Sequence, residues 1–95
     1  MSVNRVLLMG KLLSKKKTEK ATKAVIQTSR QHKDQTFTEN NFIVGFGTVG
    51  ERLSQIPENM DVMIEGRLST SKHEDKYYTE VVVLSLDVPN EHLMG

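Results

Sequence analysis

Cysteine and tryptophan are both absent from this chain, proline occurs twice, and the aromatic set is three Phe and two Tyr. Without cysteine there is no disulfide framework, no thiolate metal ligand and no thiol nucleophile, which suits a reducing, cytoplasmic setting. No stretch approaches the roughly 20 apolar residues of a membrane span. The opening "MSVNRVLLMG" has a short apolar run and no small-residue cleavage site after it, so the chain reads as neither secreted nor membrane-inserted. With 95 residues it is one domain with a small core, too short for a doubly wound sheet with two nucleotide-binding halves. Acid is scarce in one region: residues 1–33 hold nine Lys and Arg against Glu19 alone, whereas residues 34–95 hold four bases against eleven acids. A net charge of +1 therefore hides a basic section that suits a polyanion.

What is present reads mainly as strand. "VNRVLLMGKLL" (3–13), "AVIQTSR" (24–30), "FIVGFG" (42–47), "DVMIEGRLSTSK" (61–72) and "YYTEVVVLSLDV" (77–88) are rich in branched and aromatic residues without helical spacing. "SKKKTEKATK" (14–23) reads as a long loop or mobile hairpin tip, "QHKDQTFTENN" (31–41) as a polar connection and "HEDK" (73–76) as a tight turn. "TVGERLSQI" (48–56) makes one helix of two turns, stopped before Pro57. Three strands, a short helix and two strands predict an all-β fold: a five-stranded OB-fold Greek-key barrel with one helix between strands 3 and 4. The domain is expected over residues 1–90, with 91–95 a short tail in which His92 has no role.

Gly45, Gly47 and Gly50 spell G-x-G-x-x-G, and Glu65 stands twenty residues beyond Gly45, where a ribose-binding acid would be sought. The context argues otherwise. The helix is too short for a crossover to a parallel strand, and no further β-α unit follows. The glycines are better explained by geometry: close backbone packing or a bend at Gly45, and a sharp strand-to-helix change of direction at Gly47 and Gly50. In the third strand Phe42, Val44 and Phe46 share one face and Ile43 takes the other, with either face a candidate core. Tyr77 and Tyr78 point to opposite faces, so at most one is expected on a binding surface.

Taken in order, "SVNRVLLMGKL", "AVIQTS", "TENNFIVGFGTVGERL" and "VMIEGRLSTSK" with "YYTEVVV" resemble the bacterial and phage-type single-stranded DNA-binding protein over residues 2–88. The resemblance implies sequence-independent coating and protection of single-stranded DNA in replication, recombination or repair. It also implies a homo-oligomer, tetramer or dimer, built by pairing of first strands, and a nucleoid-associated protein. Matched residue by residue, it puts Arg5, Phe46 and Lys72 on the binding surface. His32, Asn40 and His73 stand where the family places large aromatics, Ser69 and Ser71 where arginines are common, and Phe42 also falls where an arginine is common.

With these departures stacking is reduced, and phosphate contacts carry more of the affinity. The candidate nucleic-acid contacts are accordingly Arg5, Lys11, Lys15, Lys16, Lys17 and His32, with Phe42, Phe46, Arg67, Lys72, His73 and Tyr78. The loop between the first two strands lacks the family's P-x-G turn, and no acidic, Phe-ended tip follows. An OB-fold accessory protein like primosomal replication protein N, acting through protein contacts, is the alternative. No cofactor, metal site or enzymatic activity is expected: "HED" at 73–75 diverges in a tight turn, and no nucleophile elbow occurs.

Overall fold

The computed structural model describes residues 2–89; the expected tail and His92 lie outside the described residues. Five strands close into a barrel in the order β1-β2-β3-β5-β4. They are β1 (Val6–Lys17), β2 (Ala21–His32), β3 (Gln35–Phe46), β4 (Asp61–His73) and β5 (Lys76–Asp87), with α1 (Gly47–Gln55) between β3 and β4. All neighbours are antiparallel except β3 and β5, which meet in parallel at Ile43–Val81 and Val44–Val82. This is the expected OB-fold.

Alternation fills the interior. Leu12, Ile26, Ile43, Val62, Ile64 and Val83 are buried in one cluster, joined by Leu53 from the helix. Val6 and Leu8 of β1 pack against it. The Ile43 face of β3 is thus the core face, and Phe42 and Phe46 lie outside, 62% and 52% exposed. Val44, on their side, is nevertheless buried. Leu68 shares the inward parity of Val62 and Ile64 but lies beyond the barrel and is exposed, so the buried face of β4 ends at Gly66.

Two segments differ from the sequence reading. Residues 14–17 continue β1, a short turn follows, and β2 begins at Ala21, so of the two expected forms this is the hairpin end and not a long lysine loop. Thr18 closes this turn: its amide and hydroxyl both donate to the Ala21 carbonyl. Residues 31–41 are likewise the end of a β-hairpin paired out to His32–Gln35, with Lys33 at a positive φ of 59°. Polar residues hide these strands from a hydrophobicity argument: the β2–β3 end projects past the core, and the β1–β2 end covers its inner face with Lys15 and Thr22 rather than with large apolar side chains. At the β4–β5 tip Glu74 and Asp75 both have positive φ, as a two-residue hairpin turn requires.

The glycine pattern is a packing contact. A Cβ on Gly45 would stand 3.1 Å from Gly50 Cα, and one on Gly50 would strike the Gly45 carbonyl oxygen. The start of the helix therefore rests directly on β3, and Gly47 makes the change of direction at φ +58°. Glu65 ion-pairs with Arg5 at 2.7 Å on the outer wall, far from any role beside these glycines.

Candidate nucleic-acid interface

A β-bulge decides which lysines reach solvent. The β1–β2 register shifts between Leu12 and Ser14, so the alternation of β1 reverses there. Leu12 faces the core; after the bulge Lys15 and Lys17 turn toward α1, and Ser14 and Lys16 turn outward. Lys15 is half-buried, and its Nζ donates to the carbonyls of Ser54 (2.7 Å) and Ile56 at the C-terminal end of the helix. A cation there satisfies carbonyls that lack helical partners and complements the helix dipole. Lys17 pairs with Glu51 at 2.8 Å. Lys16 instead stands directly opposite Lys23 of β2, both exposed and neither paired with a carboxylate among the described residues.

These outward residues, with Lys15, Ala24 and Ile43 beside them, form one wall of an open groove of about 920 Å³. Ser14, Lys16, Lys23, Val25 and Phe42 come from β1, β2 and β3; Ser71, His73, Tyr77, Tyr78 and Thr79 come from the β4–β5 hairpin, with Glu80 at its base. Tyr77 and Tyr78 are 71% and 53% exposed. Contrary to the expectation that one at most would serve, both line the groove, because the hairpin stands clear of the core and leaves both faces accessible. Lys72 holds its Nζ 5.7 Å from the Tyr77 ring centroid. The Thr70 and Thr79 hydroxyls hydrogen-bond across the same hairpin at 3.0 Å.

Of the twelve sequence-predicted contacts, Lys15, Lys16, Phe42, His73 and Tyr78 line this groove, and Lys72 adjoins it through Tyr77. Phe46 lies on the same outer face two rows beyond Phe42, opposite Ala21. Lys17 lines a shallow recess beside α1. Arg5, Lys11, His32 and Arg67 are exposed but outside the groove. Arg5 and Lys11 share the outer face of β1 with Leu7 and Met9, and His32 ends the β2–β3 hairpin. Lys23 and Tyr77 are groove residues that sequence reasoning left out. Lys23 joins the groove because β2 begins at Ala21 and sets it opposite Lys16, and Tyr77 because the β4–β5 hairpin leaves both of its faces open. A second cation–ring pair, Arg30 over Phe37 at 4.9 Å, sits on the β2–β3 hairpin. Among the described residues no cluster of three His, Asp or Glu is placed to hold a metal ion.

Fold and groove together define the class: a small OB-fold barrel with cations and flat rings displayed along one open channel. No protein-family model and no curated protein sequence matches the chain. Solved structures do. A small single-stranded DNA-binding protein from Mycoplasma pneumoniae superposes with a TM-score of 0.77 at 21% identity, covering 93% of this chain and 95% of that one. The protein PriB from Ralstonia solanacearum gives 0.76 at 15% identity over 92% and 98%. The Plasmodium falciparum SSB, solved in complex with single-stranded DNA, gives 0.72 at 19% identity over 92% and 93%. These likenesses establish the fold.

Proposed function

We propose that this chain is a sequence-independent single-stranded DNA-binding protein that coats and protects the strand during replication, recombination or repair. The observation that carries the reading is the groove, in which Lys16 and Lys23 lie beside the exposed rings of Phe42, Tyr77 and Tyr78. Such a surface holds phosphates by charge and stacks bases of any identity. Two of the similar structures are a single-stranded DNA-binding protein and an SSB bound to single-stranded DNA, which supports it. The protein works without turnover, and phosphate contact carries much of the affinity, so binding falls steeply with salt.

The active form is a homo-oligomer joined through first strands. β1 pairs with β2 only from Lys11 onward, so Val6–Gly10 has a ladder partner on the β4 side alone among the described residues. Beside that open edge Leu7 and Met9 are 63% and 58% exposed, and Met63 faces Met9 across the β1–β4 ladder. An unpaired edge with apolar side chains suits pairing with a second copy.

The test is a titration of labelled oligothymidine against duplex DNA and RNA of equal length. Preference for the single strand, weakened in Phe42→Ala, supports the reading; equal binding to duplex sinks it. A second reading, an OB-fold accessory protein acting mainly through protein contacts, is favoured by the apolar β1–β4 face and by the likeness to PriB. It predicts little single-strand affinity in the same titration.

A further inference from the structure

Lys16 and Lys23 are direct cross-strand partners on the outer face, where like charges repel each other and destabilise the sheet. Neighbouring lysines avoid this cost: Lys15 is bound to helix carbonyls and Lys17 to Glu51. Two exposed lysines at facing positions, neither paired with a carboxylate among the described residues, are relieved by one anion that both can reach. The next row of the same face runs Ser14, Val25, Phe42. Rows on one face are two residues apart along the strand, about 6.6 Å. Phe42 is therefore the diagonal neighbour of Lys23, at the separation of a phosphate from a base it carries. Glu80 at the groove's far side disfavours a second phosphate there.

Resting on the DNA-binding reading, we infer that Lys16 and Lys23 share a single phosphate of the bound strand, and that Phe42 stacks the base next to it. The row pair is thus a one-nucleotide subsite that fixes the strand on the barrel. Its two lysines act as one neutralising unit, and the bound phosphate offsets their mutual repulsion.

The experiment measures oligothymidine affinity across a salt series for the full chain and for Lys16→Gln, Lys23→Gln, the double variant and Phe42→Ala, with thermal unfolding of each free protein. For a single strand the slope of log K against log salt is about −0.7 per phosphate neutralised. Each single variant should leave the slope nearly unchanged, since the other lysine still neutralises the phosphate. The double variant should reduce its magnitude by about 0.7, not the roughly 1.4 of two independent phosphates. Either single variant should also raise the thermal midpoint of the free protein by removing the repulsion. Phe42→Ala should lose about 5- to 150-fold in affinity at constant slope.

A loss of 1.4 in the double variant, no loss while the wild type stays salt-dependent, or a lowered midpoint in both single variants would overturn the shared site and leave DNA binding intact. Failure of the wild type to bind oligothymidine at all would instead overturn the parent reading, and the subsite with it. Lys17→Gln is the control outside the subsite, and its slope should match the wild type.

Discussion

Lys15 and Lys16 are adjacent in sequence, yet a single inserted residue sends one to the helix and the other to solvent. The Lys15 ammonium donates to two carbonyls at the end of α1, a charge-assisted arrangement. Lys15→Ala should therefore lower unfolding stability by about 1.5 kcal/mol, the low end for such bonds because the side chain is only half-buried. Urea unfolding reads this directly, and the salt dependence of DNA affinity should not move. The opposite pattern, unchanged stability with a shallower salt slope, would make Lys15 a phosphate contact after all. Phe46 raises the complementary question of how far the strand's path extends beyond the groove. It is exposed on the same face as Phe42, at the junction of β3 and α1. If a base stacks there, Phe46→Ala costs about 1–3 kcal/mol of binding with stability nearly unchanged. A loss confined to longer oligonucleotides would place Phe46 at the end of the path, and no loss at any length would remove it from the path.

At the level of elements, the seat of α1 on β3 is a close backbone contact that only glycine permits, as are those at Gly10 and Gly66. Gly50→Ala would push a methyl group into the Gly45 carbonyl, and backbone cannot yield as a flexible side chain does. A destabilisation of about 1–3 kcal/mol is expected, measurable as a lower denaturant midpoint with an unchanged m-value. Gly47→Ala meets nothing in space but must hold φ +58°, so about 1 kcal/mol is expected from conformation alone. The order and type of these elements were legible because the core strands carry branched residues wherever one face is covered. Lengths were not legible where strands leave the core. In 14–23 and 31–41 lysine, threonine, glutamine and asparagine pair as strands although no apolar face marks them. The bulge at Leu13 left no sign either, because a run of apolar and lysine residues reads the same in both registers. That one irregularity decides which lysines line the groove wall: Lys16 faces out across from Lys23, whereas Lys17 turns to Glu51 of α1. The bulge between Glu65 and Gly66 does the same on the β5 side: Val81 and Val83 point inward, Leu84 is turned out, and Leu86 and Val88 return to the interior.

Across the whole molecule, the proposed binding and assembly surfaces occupy different parts of the barrel wall. The groove gathers Lys16, Lys23 and the rings, whereas the outer face of β1 and β4 carries Leu7, Met9 and Met63, bordered by Asp61 and the Arg5–Glu65 pair. A second copy seated on the Val6–Gly10 edge would cover that apolar strip and leave both grooves open, so one strand of DNA could cross from one subunit to the next. Linking two grooves makes the second contact intramolecular and raises affinity without any new interaction, provided the DNA is long enough to span them. Leu7→Glu with Met9→Glu places two carboxylates on the proposed seam beside Glu65. Sedimentation equilibrium should then report a monomer at concentrations where the wild type is a dimer or larger. The double variant should bind short oligothymidine as the wild type does, because its groove is untouched, yet lose about 100-fold or more on long strands, where multivalency operates. Equal losses on short and long strands would show that the substitutions disturbed the barrel itself. A wild type that sediments as a monomer would remove first-strand assembly from the account and leave the groove to act alone.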